Sequence, residues 1–207
     1  MTTLYFAPGA CSLGIHVLLE EIGAPYDLEK VNLMEGQQYK PEFTSINPKS
    51  KVPTLKRPDD TILTEFPAIA YWLAATNPSA KLWPTDLDGQ TAALEAIDYV
   101  VATLHMQGFA RLFRPGNFAP DEASHEAVKA RGREIIDKGF ALLEGRLAGR
   151  EWIAGSYSAA DAALFYVEFW AVARMKIALP PNIAAHFERM KGHPAVQRMM
   201  QQEGLAA

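Results

Sequence analysis

Four places in this sequence hold residue types suited to chemistry. The stretch "YFAPGACSLGIH" carries the only cysteine, Cys11. It lies at the expected first turn of a helix, where free N–H groups and the positive end of the helix dipole stabilise an anion, a thiolate included. A buried small hydrophobe suits the same place equally well. Gly14 fills the second cysteine position of a C-x-x-C pair, so dithiol chemistry is excluded and monothiol chemistry is not. Val52-Pro53 precedes a short apolar run. A proline there donates nothing to a strand ladder, which leaves an edge strand or a cis peptide that turns a backbone amide outward. Glu65 closes an expected strand just before a helix, beside the free N–H groups of residues 66 to 68. That corner matches an amino acid at both ends, the carboxylate taking an ammonium and the helix start a carboxylate. A simple acidic residue at a helix start is the other reading. The five histidines, His105 among them, show no ligand spacing with Cys11 or with one another, so no metal is expected.

Missing motifs narrow the chemistry further. There is no G-x-G-x-x-G, Walker loop, G-x-S-x-G or H-E-x-x-H, which removes support for dinucleotide, nucleotide triphosphate, serine hydrolase and zincin readings.

The elements that must position these residues follow from periodicity. Residues 2 to 6 are rich in strand formers and end at Pro8-Gly9. Leu13, Val17, Leu18 and Ile22 then recur at helical spacing up to Gly23. "YDLEKVNL" alternates as a second strand, and "KVPTLKRPDDTILTE" reads as two short strands around Pro58-Asp59-Asp60, with a helix from Pro67 through Ala75. This β-α-β, hairpin, helix order predicts one mixed sheet flanked by helices, an α/β unit over 1–80. "NPSAKLWPTDLDG" is a Pro, Asp and Gly rich connection. Beyond it Ile97, Val101, Leu104 and Gly108, then Ile135, Ile136, Phe140, Leu143 and Leu147, form helical stripes, which predicts an all-α unit over 81–207. Ser158-x-x-Asp161 is a capping-box variant with a structural role, opening the helix of "AADAALF".

The net charge of −4 is spread without a basic half: six basic and nine acidic side chains occur up to residue 80, and fourteen and fifteen after it. Nucleic acid is therefore not an expected partner. A lone cysteine makes no internal disulfide, Asn77-Pro78-Ser79 is barred from glycosylation by its proline, and the N-terminus lacks a basic leader. "AALFYVEFWAVA" is too short to span a bilayer and contains Glu168. These features predict a cytoplasmic protein with no membrane partner.

Taken together, "YFAPGACSLGIHVLLEEIG", "NPKSKVPTL", "LTEFPAIAYWLA", "LHMQGFARLF", "GSYSAADAALF" and "HPAVQRMMQQEGL" resemble, in order and spacing, the bacterial beta class of cytosolic glutathione transferases. The resemblance implies a thioredoxin-like N-terminal domain, an all-helical C-terminal domain, and a homodimer with glutathione bound between the domains. It implies a detoxifying transferase that uses glutathione as cosubstrate with no further cofactor. By the same resemblance Val52 presents its backbone to the cysteinyl part of glutathione beside a cis Pro53, while Glu65 and Phe66 hold the γ-glutamyl end. Cys11 faces the glutathione sulfur and His105 reaches toward it. Asp98, seven residues before His105 and so two α-helical turns away, points into the same cleft. Phe66 stands where many relatives have a small residue, so its backbone N–H binds and its ring narrows the site. A second, apolar subsite around Phe109, Leu112 and Phe113 takes a hydrophobic electrophile. Two alternatives accompany this reading: a glutathione-dependent thiol reductase working through a Cys11 mixed disulfide, and a noncatalytic binding protein of the same fold.

Overall fold

The computed structural model describes residues 1–205. Strand β1 (Thr2–Phe6) buries Leu4 and Phe6 on one face, and the chain turns at Pro8-Gly9 into α1 (Ser12–Ile22), which Gly23 stops in the left-handed conformation. Strands β2 (Tyr26–Lys30), β3 (Thr54–Lys56) and β4 (Ile62–Thr64) complete a four-stranded sheet of order β2-β1-β3-β4. β1 runs parallel to β2 and antiparallel to β3, with Leu4 opposite Leu28 on one side and Leu55 on the other. The mixed sheet expected from the element order is present, followed by α3 (Phe66–Thr76). A short α2 (Pro41–Thr44) precedes β3. The Val52–Pro53 peptide is cis, the second of the two readings left open by its sequence.

Beyond the connection after α3, the described residues form helices and turns only. These are α4 (Leu87–Asp98), α5 (Ala110–Phe113), α6 (His125–Leu147), α7 (Ala159–Phe169), α8 (Pro181–Gly192) and α9 (Pro194–Gln202). Every residue of α7 is buried, and in α1 so is every residue from Ser12 to Glu20. An ordinary surface helix buries one stripe; these two are enclosed because they pack on each other between the sheet and the outer helices. Gly14 makes this possible, since a β-carbon there would lie 2.7 Å from the Ala162 carbonyl oxygen and 2.8 Å from the Phe66 ring. Among the described residues no helix is long and apolar enough to cross a membrane.

Two stretches depart from the α period. Tyr99–Phe109, continuing α4, and Trp170–Arg174, continuing α7, are π-helical, with Ala110 N–H donating to the His105 carbonyl and Met175 N–H to that of Trp170. Such i→i+5 turns are rare and concentrate at functional sites.

The α7 start is built by the expected capping box. Ala160 N–H donates to Ser158 Oγ, and Ser158 N–H donates to Asp161 Oδ2 at 2.8 Å. Asp161 also accepts from Ile153 N–H, and its Oδ1 lies 3.2 Å from His186 Nε2, while His186 Nδ1 lies 2.9 Å from Glu168. All three side chains are fully buried. Burial works against a charged His186, but the Glu168 and Asp161 carboxylates outweigh it and raise its pKa from 6.5 to about 9. A histidine more basic when folded contributes stability that is complete below pH 6.5 and is lost as pH rises through 9. Urea unfolding is accordingly expected to show a loss on the order of 3 kcal/mol between these limits, with His186→Gln abolishing most of that pH dependence. Equal slopes for the two proteins would contradict the expectation.

Candidate functional site

The loop that carries Cys11 is fixed from both halves of the chain. Gly9 N–H donates to Glu203 Oε2 at 2.8 Å, Trp170 Nε1–H donates to the Gly9 carbonyl at 2.8 Å, and Ala7 N–H donates to the buried Ser12 hydroxyl. Cys11 is the N-cap residue of α1, and its Sγ donates to the Val52 carbonyl across 3.2 Å. The helix start does not make it a thiolate. Burial pushes its pKa up to about 12, against the lowering pull of its own N–H, the Ser12 N–H and the Lys51 ammonium. Dipole stabilisation acts over the first turn only and is small beside the cost of desolvating an anion. Opposite Cys11, the buried Asn47 side chain donates to the Lys51 carbonyl and to Thr54 Oγ1, which shapes the loop presenting Val52.

Glu65 stands at the N-cap of α3 with φ +72°, a left-handed backbone rare for a residue with a β-carbon. Such strain persists where surrounding structure enforces it, and it clusters at binding sites. The exposed carboxylate does not cap its own helix; it accepts from Lys49 Nζ at 2.7 Å, and Lys49 also donates to Thr64. The Phe66 N–H at the helix start therefore keeps no partner from the Glu65 side chain.

His105 comes from the first π segment. Its ring packs edge-on against Trp170, 4.7 Å between centroids, and its Nδ1 is 3.4 Å from the Tyr166 hydroxyl. Burial lowers its pKa to about 4, and the Lys51 ammonium acts in the same direction, so the ring is neutral at ordinary pH. The Lys51 ammonium thus acts on both Cys11 and His105, lowering the pKa of each.

The family models for the glutathione S-transferase N-terminal and C-terminal domains match residues 9–76 and 126–189. Glutathione S-transferase GstA of Escherichia coli O157:H7 is 35% identical over 206 residues, covering 98% of each chain. The chain belongs to the glutathione S-transferase family. Among solved structures, a Sulfitobacter glutathione transferase homologue with bound glutathione superposes with a TM-score of 0.90 at 30% identity, over 100% of this chain and 99% of that one. A beta-class glutathione S-transferase of Sphingomonas chungbukensis gives 0.83 at 29% identity, over 99% and 100%.

Within this glutathione S-transferase fold several expected placements differ. The Phe66 ring does not narrow the cleft. It is buried, packed 5.4 Å from the Tyr166 ring and against Gly14. Asp98 is exposed and makes no hydrogen bond to the other site residues. The α period ends at Asp98 itself and the wider π turn follows, so the seven residues to His105 no longer make two α-helical turns. Of the three apolar residues assigned to the second subsite, Phe109 is fully buried and Leu112 faces a pocket shared with Lys129, Arg133 and Met175. Phe113 alone is exposed, and it packs 5.3 Å from Trp170. A concavity of about 570 Å³ beside Pro25, Arg198 and Gln202 includes none of the site residues, and its Glu20, Tyr26, Arg198 and Gln202 side chains bond to one another.

Sequence reasoning missed Lys49, Lys51, Tyr166 and Trp170. The lysines are the two ends of "KSK" directly before Val52, and Tyr166 and Trp170 stand four apart in one helical run, each an aromatic with a polar tip. That spacing within an otherwise apolar run was the available signal.

Proposed function

We propose that this glutathione S-transferase joins the sulfur of glutathione to hydrophobic electrophiles, with Cys11 as a hydrogen-bond donor rather than a nucleophile. In this reading residues 1–80 hold glutathione and 81–207 the electrophile. The cysteinyl backbone pairs with Val52 beside Pro53, the γ-glutamyl ammonium meets Glu65, and its carboxylate meets the Phe66 N–H at the start of α3. The glutathione sulfur then lies next to Cys11 and below His105. The carrying observation is that burial keeps Cys11 protonated, with its Sγ 3.2 Å from the Val52 carbonyl; in this reading the S–H turns from that carbonyl to the glutathione sulfur when the ligand enters. A protonated thiol and a neutral imidazole N–H are both donors, so each stabilises a glutathione thiolate, and Lys51 adds a favourable field. Each unit of pKa depression in the bound thiol corresponds to about 1.4 kcal/mol, within reach of two hydrogen bonds. The thiolate forms the new C–S bond as the leaving group departs with its electron pair, and the thiol proton passes to solvent. Phe113 and Trp170 offer the aromatic surface on which the electrophile rests, in place of the buried Phe109 and the displaced Leu112.

The reductase alternative needs a Cys11 thiolate to attack a disulfide, and the burial that pushes its pKa to about 12 opposes that. We further place the protein in the cytoplasm, as a homodimer with a detoxifying role. Retention on immobilised glutathione together with turnover of 1-chloro-2,4-dinitrobenzene tests the reading. Both are expected, and failure of both would overturn it.

A further inference from the structure

We propose that Tyr166 is a positioning residue for His105, its hydroxyl donating to Nδ1 so that the imidazole carries its proton on Nε2, directed to the glutathione sulfur. The inference rests on the transferase reading for its consequence and on the structure for its geometry. Tyr166 is fully buried in α7, and the hydrogen-bond partner of its hydroxyl among the described residues is His105 Nδ1, at 3.4 Å. A buried hydroxyl left without an acceptor is costly, and a neutral imidazole presents one lone pair and one N–H. If Nδ1 held the proton, it would donate to the Tyr166 oxygen and strand the buried O–H. If Nε2 holds it, both groups are satisfied. His105 Nε2 has no hydrogen-bond partner among the described residues, so its N–H remains available to a ligand. Burial keeps His105 neutral and Tyr166 protonated, so neither supplies its proton by ionising.

The rings lock this orientation. Tyr166 is held between the Phe66 ring at 5.4 Å and Trp170 at 5.0 Å, and His105 stands edge-on to both Tyr166 and Trp170. Phe66, inward-facing rather than lining the cleft, thus buttresses the tyrosine that orders the histidine. Trp170 is itself tied to the Cys11 loop through Gly9. The π turns at Tyr99–Phe109 and Trp170–Arg174 bring these rings together.

The test uses histidine labelled with nitrogen-15 in the whole protein near neutral pH, the His105 signal being the one lost in His105→Gln. Wild type is expected to show the Nε2–H tautomer. Tyr166→Phe, which keeps the ring and removes the hydroxyl, is expected to shift the population toward Nδ1–H. It is also expected to lower kcat for conjugation about three- to tenfold, the scale of one neutral hydrogen bond, with little change in the KM for glutathione. An Nδ1–H tautomer in wild type overturns the proposal whether or not the variant folds. So does a folded variant in which either the tautomer or kcat is unmoved. If wild type conjugates no electrophile, the transferase reading fails, and the tautomer of wild type and variant still decides the role of Tyr166.

Discussion

Glu65→Gln is expected to raise the KM for glutathione by about ten- to a hundredfold, the loss that follows when a hydrogen bond to a charged partner becomes a neutral one. The side chain is more than half exposed and its ion pair with Lys49 is equally open, so the substitution removes little stability, about 0–1 kcal/mol. Its backbone is another matter. The positive φ that turns β4 into α3 lifts the Glu65 carboxylate away from its own helix and leaves the Phe66 N–H at the helix start. Glutamine preserves that turn while withdrawing the negative charge, so the ammonium of the γ-glutamyl group loses its counter-ion. Initial rates at varied glutathione and fixed aryl chloride check this, with thermal unfolding as the control. An unchanged KM in a folded variant would place the γ-glutamyl group elsewhere.

Gly14→Val is expected to lower the unfolding midpoint by roughly 5–10 °C, from overpacking of a few kcal/mol in a chain of this size. The first obstacle to a side chain there is the Ala162 carbonyl, a backbone atom within buried α7 that cannot rotate away. The second is the Phe66 ring, pinned by Tyr166. Alanine is expected to fall between the two, because a helix interior favours alanine over glycine by about 1 kcal/mol and offsets part of the clash. Pushing α1 from α7 also shifts Cys11, which caps α1, so kcat is expected to fall in the folded fraction of the valine protein. A wild-type midpoint for Gly14→Val would show that the two helices separate at no cost. Melting curves of the three proteins decide it.

These two sites also mark how far the sequence could be read. The strands, the Gly23 stop, the Ser158–Asp161 cap and the strand-to-helix corner at Glu65 are local features, written in short runs of residues with turn or cap chemistry. The ionisation of Cys11 is not local. Its helix-start position suits a thiolate and a packed thiol equally, and the choice falls to desolvation in the folded chain beside the Val52 carbonyl. The π turns were hidden because Ile97 and Leu104 satisfy an α stripe even though the chain between them changes pitch. The turn count from Asp98 to His105 consequently differs from the one the α period assigned. Phe66 was misread for a related reason: its type raised a steric question at the cleft, and the space left by Gly14 answered it by taking the ring inward. Tyr166 gained significance only when folding set its hydroxyl against His105.

The most direct measurement is a pH titration of the ultraviolet thiolate absorbance of glutathione bound to wild type and to Cys11→Ala. With its pKa pushed up to about 12 by desolvation, Cys11 is expected to contribute little absorbance in the range where glutathione titrates. The bound thiol is predicted to ionise about one unit or more below free glutathione in wild type, and to recover part of that difference when Cys11 is removed. A bound thiol that titrates like the free one, or identical titrations in the two proteins, would contradict a donor role for Cys11.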